Sequence, residues 1–166
     1  RFKQLLENQP GIKMVSLRSG VRGGFHDNFT FEVEGQVTQP QFRTAFSDFE
    51  YLKTLGIKLI DGRDFSASFP TDSAQSVIIN REAAATAGWT PREALGKRIR
   101  NLMRDSVPRT VIGVVENFHF LSLKEKMQPI VIAGNDDRRV AVIKLEAGQI
   151  QPGLAAVRKI YSQIAP

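Results

Sequence analysis

The chain has 166 residues, 42% hydrophobic and 24% charged, which suits one globular domain or one domain with a smaller inserted lobe. It has no cysteine, which excludes disulfides, thiolate metal sites and a cysteine nucleophile. No run of about 18 apolar residues is present, so we expect no membrane span within this chain.

The chain is basic, with 23 Lys and Arg against 17 Asp and Glu and a formal charge of +6. Basic domains can meet nucleic acid, anionic lipid or acidic proteins. The cations are scattered from Arg18 to Arg139, and no aromatic residues alternate with them as a base-stacking platform requires. We therefore predict no nucleic-acid partner and favour a basic surface near anionic head groups.

The first part of the chain predicts a helix followed by strands. Phe2, Leu5 and Leu6 share a helical face, and Pro10-Gly11 ends that helix. The next predicted elements are a strand at 12–18, a loop at 20–28, and strands at 29–37 and 42–47. The strand at 29–37 alternates apolar and polar residues, which is typical of a half-buried strand.

The stretch FEYLKTLGIKLIDGRDFS, residues 49–66, carries several start and stop signals. Ser47 and Glu50 have capping-box spacing, which predicts a helix starting beside them. Gly56 is the expected left-handed stop, and a strand follows at once. Asp61-Gly62 then predicts a tight turn that ends the strand.

Similar helix start and stop signals occur further along the chain. Asn80 is predicted to cap a helix after the apolar strand SVIIN (76–80), and Gly88 is predicted to end it. Thr90 to Glu93 has capping-box spacing with Pro91 at the first helical position. Strands are predicted at 95–101 and 109–118, with a polar loop at 102–108 between them.

The last part of the chain predicts two strands and an amphipathic helix. The strands, 129–133 and 138–147, are linked by a turn signal at 134–137. The helix, 154–164, carries one apolar stripe. Its members are Leu154, Val157, Ile160, Tyr161 and Ile164. Helices and strands mix without strict βαβ repetition, so the predicted fold class is α+β.

No catalytic constellation emerges from the reactive residues. His26 and His119 lie far apart in sequence, and no GxSxG or phosphate-binding pattern is present. His119 is predicted to be a packed or hydrogen-bonded structural residue. Asp61, Asp64 and Asp72 match turn chemistry better than a calcium loop. We therefore predict no catalytic residue, no cofactor and no metal site, and a binding or mechanical module.

Four motifs occur in one order: FEYLKTLGIKLIDGRDFS, SVIINREAAATAGW, ALGKRI and TVIGVVENFHFLSLKEKMQPIVI. This series, from about Phe42 to Pro129, resembles the MacB-like periplasmic core domain of FtsX-type ABC transporter permeases. The resemblance implies a porter-like α/β lobe built from residues 1–60 and 118–166, with a smaller α/β lobe, 61–117, inserted in it. It supplies no catalytic residues.

The resemblance also implies a cellular setting. Such permeases form dimers, are driven by an ABC ATPase in a separate subunit or domain, and pass conformational change to a periplasmic adaptor or lipoprotein. The domain would lie at the periplasmic face of the inner membrane, anchored by transmembrane helices absent from this chain. The start at Arg1 indicates a piece of a longer protein. In the family a further strand follows the closing helix, whereas this sequence stops at Pro166. Either that strand is cut off, which would leave a sheet edge without its neighbour, or the C-terminal part differs here.

Two loops are the predicted partner contacts, because binding residues concentrate on loops held by a rigid scaffold. The first is 20–28, with Phe25 and His26, and the second runs from Phe65 to Asp72, with Phe65 and Phe69 as aromatic anchors if they are exposed. A buried core position is the competing interpretation for each phenylalanine. The alternative function is a periplasmic sensor domain that binds a small ligand between its lobes; a hydrolase would require a triad or metal set that the sequence lacks.

Overall fold

A computed structural model describes residues 2–19, 27–119, 126–134 and 139–164. Its helices are α1 (Phe2–Glu7), α2 (Tyr51–Leu55), α3 (Asp72–Gln75), α4 (Arg81–Thr86), α5 (Pro91–Ala94) and α6 (Ile150–Ile164). Its strands are β1 (Ile12–Arg18), β2 (Asp27–Val33), β3 (Gln41–Ser47), β4 (Leu59–Gly62), β5 (Ser76–Asn80), β6 (Arg98–Asn101), β7 (Pro108–Val115), β8 (Ile130–Gly134) and β9 (Val140–Leu145). The mixed content confirms the predicted α+β class.

Six of the strands form a closed ring in the order β2-β6-β7-β5-β8-β3, because β3 pairs again with β2. The β2–β3 ladder joins Asp27–Thr30 to Gln41–Thr44, and the β2–β6 ladder joins Phe31–Val33 to Ile99–Asn101. One strand thus closes the ring by dividing its length between two neighbours. A closed ring leaves its strands no free edge along these ladders.

Alternation along the strands separates two hydrophobic clusters. Residues pointing into the ring come from all six strands and pack together, as in other small barrels filled by side chains. They include Phe31, Phe42, Phe46, Val77, Ile79, Ile99, Val111, Val131 and Ala133. The intervening residues Ala45, Ile78 and Ile132 point outward and pack under α2 and Phe65.

The two ends of the ring differ. At one end Asn80 caps α4 by accepting from the Ala83 amide at 2.9 Å, and it also accepts from the Ile130 amide at 2.9 Å. Three alanines of the following segment, Ala83, Ala84 and Ala87, join the interior cluster, so this segment covers that end. The opposite end, here called the mouth, lies where β5 begins and β8 ends.

A second layer lies beside the ring. Strand β1 pairs antiparallel with β9 along its length and meets β3 at a single residue pair, Arg18 and Ser47. Helices α1 and α6 cover this pair of strands through a small cluster of Leu6, Ile12, Val15 and Ile160. Among the described residues, no other strand pairs with β1 on the β3 side.

The predicted lobes, 1–60 with 118–166 and 61–117, share the ring. Strand β6 of the predicted insert pairs with β2, and β5 pairs with β8, so ladders cross both predicted boundaries. The division into a porter-like lobe and an inserted lobe stays a prediction.

Several local predictions are confirmed. The strands at 12–18 and 76–80 have the predicted bounds, Gly56 has φ +71° after α2, and Thr90 with Glu93 forms the capping box. The Gly88 stop is also present, with the Trp89 amide bonded to the Ala84 carbonyl at 2.9 Å.

The predicted capping box at Ser47 is wrong. Helix α2 begins at Tyr51 after Glu50, without a side-chain cap. The Asp48 carboxylate instead accepts from Lys3 Nζ at 2.8 Å, Ser16 Oγ at 2.6 Å and the Leu17 amide at 2.9 Å. These long-range bonds tie the segment before α2 to α1 and β1, so the local box does not form.

Two other predictions need correction. Asp61-Gly62 is not a turn after a strand, because both residues belong to β4, where the register against β7 shifts. Strands β8 and β9 are not neighbours, because β3 and β1 lie between them. The turn signal at 135–137 lies outside the described residues.

Gly62 lies where β4 passes close to β7. It has φ +77°, and an added Cβ would overlap the Ile112 carbonyl oxygen and lie 2.9 Å from Gly113 Cα. Gly62→Ala should therefore lower the free energy of unfolding by about 3 kcal/mol or more.

The matched control is Gly96→Ala. Gly96 has φ +82°, but no atom lies within 4 Å of an added Cβ. This change should cost only the backbone term, about 1 kcal/mol. Urea unfolding measures both, and equal losses would contradict the close approach at Gly62.

Candidate partner-contact surface

The predicted contact residues end up in different environments. Phe25 and His26 lie outside the described residues. Phe65 is only 5% exposed and stacks on Phe49, with ring centroids 5.5 Å apart. It is therefore a core residue and offers no surface anchor. Phe69 is 48% exposed, so it is the predicted anchor that lies at the described surface.

The loop that carries Phe69 is organised by a buried carboxylate, Asp72. This side chain accepts two hydrogen bonds from Arg63, at 2.6 and 2.8 Å. It also accepts from the Ser66 amide and from Ser76 Oγ, each at 3.0 Å. One carboxylate therefore ties β4, the loop and the start of β5 together.

Charge keeps this centre in place. Burial alone would raise the pKa of Asp72, but the bonds from Arg63, Ser66 and Ser76 outweigh burial and hold that pKa below its usual value. The hydrogen bond to Asp72 in turn raises the pKa of Arg63. Both groups are thus charged at neutral pH, and the bidentate pair fixes the plane of the guanidinium.

Arg63 also holds Phe69. Its guanidinium carbon lies 4.0 Å from the centre of the Phe69 ring, which is cation–π geometry. The arginine therefore joins a buried acid on one side to an exposed aromatic ring on the other. An exposed ring held in one place loses little conformational entropy when it binds a partner.

The remaining predicted residues have local roles. Asp61, in β4, and Asp64, after it, each accept from the following backbone amide. His119 is exposed, so it is not a packed residue, and the hydrogen-bonded alternative stays a prediction. Its neighbour Asn117 accepts from the Glu82 amide at 3.0 Å and supports the start of α4. Among the described residues, no group of three or more His, Asp or Glu could hold a metal ion.

Helix α6 exposes an apolar surface that the sequence pattern assigned to the core. Gly153, Ala156 and Ile160 face the sheet, whereas Leu154 is 41% and Tyr161 59% exposed. The small residues decide this, because a Cβ on Gly153 would lie 2.7 Å from Leu145 Cδ2. The helix therefore packs on the sheet through its small residues. Three members of the predicted stripe, Leu154, Tyr161 and Ile164, are exposed.

Sequence reasoning also missed a pocket at the mouth. It has a volume of about 230 Å³ and is lined by Phe46, Ser73, Ala74, Arg104, Asp105, Arg109 and Gly134. Strand alternation places Arg109 on the same face as Val111, but only the closed ring turns that face inward. The larger depression over β2 and β6 is lined by Glu32 and Glu34, which already have ion-pair partners in Arg100 and Lys97.

Three solved structures share the fold of this chain. The periplasmic region of MacB from Actinobacillus actinomycetemcomitans matches with a TM-score of 0.67 and 17% identity, over 98% of this chain and 71% of that one. The extracellular domain of the noncanonic ABC-type transporter YknZ from Gram-positive bacteria matches with a TM-score of 0.69 and 16% identity, over 98% and 82%.

The third structure is a domain of a protein described as a permease from Porphyromonas gingivalis, with a TM-score of 0.66 and 19% identity, over 96% and 74%. The model of the MacB-like periplasmic core domain matches residues 2–154. The chain therefore belongs to this family, the periplasmic core domains of MacB/FtsX-type ABC transporter permeases. The family is a transporter domain and not a catalytic enzyme. No protein with a curated description matches the sequence.

Within the described residues, no helix is both long and apolar enough to cross a bilayer.

Asp72→Asn tests the buried centre. The change leaves Arg63 without its charged partner, so it should lower the free energy of unfolding at pH 7 by about 3 kcal/mol. The control Glu116→Gln removes an exposed pair with Arg81 and should cost less than about 0.5 kcal/mol.

The contribution of Asp72 to stability should also depend on pH. Because the folded pKa of Asp72 is below the unfolded value of about 3.9, its stabilisation is complete above that value and is lost as pH falls through the folded pKa. The difference in stability between wild type and Asp72→Asn should therefore shrink from pH 5 downwards in urea titrations. A difference that stays constant with pH would contradict an ionised Asp72.

The two phenylalanines should respond differently to truncation. Phe65→Ala empties a buried site and should cost about 3–5 kcal/mol. Phe69→Ala removes an exposed ring and should cost less than about 1 kcal/mol. Urea unfolding of both variants checks this, and a large loss for Phe69→Ala would place that ring in the core.

Proposed function

We propose that the domain is a non-catalytic coupling element of its permease, which transmits ATP-driven conformational change to a periplasmic adaptor or lipoprotein. Its ATPase belongs to a separate subunit or domain, and the permease acts as a dimer anchored in the inner membrane by helices outside this chain. The family supports the transporter setting. The observation that carries the coupling role is the exposed Phe69 ring, held by Arg63 against the buried Asp72.

This arrangement suits the transfer of movement. Asp72 binds Ser76 at the start of β5, and β5 pairs with both β7 and β8 in the ring. A displacement of the ring therefore reaches Phe69 through hydrogen bonds and short backbone segments. We assign the partner contact to the loop from Phe65 to Asp72, with Phe69 as the anchor and Phe65 as its support in the core.

Site-specific photocrosslinking in the full-length permease tests this assignment. A photoreactive phenylalanine at position 69, in cells with an active ATPase, should give an adduct with an envelope adaptor or lipoprotein, identified by mass spectrometry. The yield should change at least twofold when the ATPase is made unable to hydrolyse ATP. The same probe at Val37, a fully exposed position in the loop between β2 and β3, is the matched control.

Two results would overturn the proposal. One is an equal adduct pattern from positions 69 and 37. The other is full transport function in a Phe69→Ala permease that is expressed at the normal level.

A further inference from the structure

The interior of the ring becomes more polar towards its mouth. Most inward positions carry apolar residues, but Thr44, Asn101 and Arg109 line a small cavity among Phe31, Phe46, Val77, Ile99, Val131 and Ala133. The cavity has a volume of about 10 Å³, roughly one water molecule. Asn101 is 3% exposed and Thr44 is 4% exposed. Three polar side chains are thus placed inside a small barrel, where apolar residues are expected.

Hydrogen bonding leaves specific atoms of these residues without a partner. Asn101 lines the cavity, and its Oδ1 accepts from the Met103 amide at 3.0 Å, whereas its Nδ2 is buried without a partner. The terminal nitrogens of Arg109 bind Asp105, at 3.0 and 2.5 Å, which leaves Nε buried and unpaired. Thr44 Oγ1 is also buried without a partner. Buried polar atoms are rarely left unpaired in native proteins, so these three indicate a missing partner.

The pocket at the mouth adjoins this cavity, since Phe46 and Arg109 line both. Arg104 also lines the pocket, with its guanidinium carbon 4.0 Å from the centre of the Phe46 ring. Among the described residues Arg104 forms no ion pair, although its charge helps to lower the pKa of the neighbouring Asp105. Two arginines and one aspartate leave the pocket with one excess positive charge.

The chemistry of the unpaired atoms selects the ligand. Nδ2 of Asn101 and Nε of Arg109 can only donate, and Arg104 adds further donors, whereas the hydroxyl of Thr44 can donate or accept. A cation would meet donors and positive charge. A group with several acceptor oxygens and negative charge satisfies all of them.

We propose that the mouth of the ring binds an oxyanion of carboxylate or phosphate size. Arg104 and Arg109 Nε are its donors, and Asn101 Nδ2 and Thr44 are reached through the oxygen-sized cavity behind them. Asp105 holds the Arg109 fork in place, so the anion meets a fixed Nε–H. This site lies apart from Phe69, and it stands or falls independently of the partner contact.

NMR of the chain reads the donors directly. Sodium phosphate and sodium acetate are titrated separately at constant ionic strength, and the Arg109 Nε–H and Asn101 side-chain signals are followed. Saturable shifts at both signals are expected, and the anion that saturates at the lower concentration identifies the ligand class as phosphate or carboxylate.

Two variants separate a site from general charge attraction. Arg104 is exposed, so Arg104→Gln should fold normally and weaken binding about tenfold. Arg92→Gln removes an exposed arginine on α5 with the same change in net charge and should leave the affinity unchanged. Shifts that do not saturate, or that weaken equally in both variants, would overturn the proposal. No shift with either anion would show that the cavity holds water alone and would overturn it as well.

Discussion

Strand β2 is the element on which the fold depends, because it closes the ring by dividing its length between two neighbours. Its first half pairs with β3 and its second half with β6, and seven residues supply both ladders. Closure forces every ring strand to have one inward and one outward face. The interior cluster and the cluster under α2 are the direct result of that division.

Closure also explains which features could be predicted from the sequence. The caps at Asn80 and Thr90 are made within three residues, so the local pattern contains all that is needed. The predicted cap at Ser47 does not form, because Asp48 binds Lys3 of α1 and Ser16 of β1, both more than thirty positions away in sequence. Local rules hold where no distant group competes for the same atoms.

The candidate sites show the same limit. The order of the motifs indicates the family, and the position of Phe69 in a loop is enough to predict it as a contact residue. Nothing in the local sequence distinguishes Phe69 from Phe65, because their burial is decided by Phe49 and Arg63. The polar layer of Thr44, Asn101 and Arg109 is assembled from three strands, and its inward direction follows only once the ring is closed.

The segment from Asp72 to Ser76 joins the two candidate surfaces. Asp72 anchors the loop that carries Phe69, while the next two residues, Ser73 and Ala74, line the pocket at the mouth. Gly134 packs against Ser73 so closely that an added Cβ would lie 2.7 Å from its Cα. This contact leaves α3 no room to move towards the end of β8. The base of the Phe69 loop and one wall of the pocket are therefore parts of one packed unit, fixed to the ring through β5.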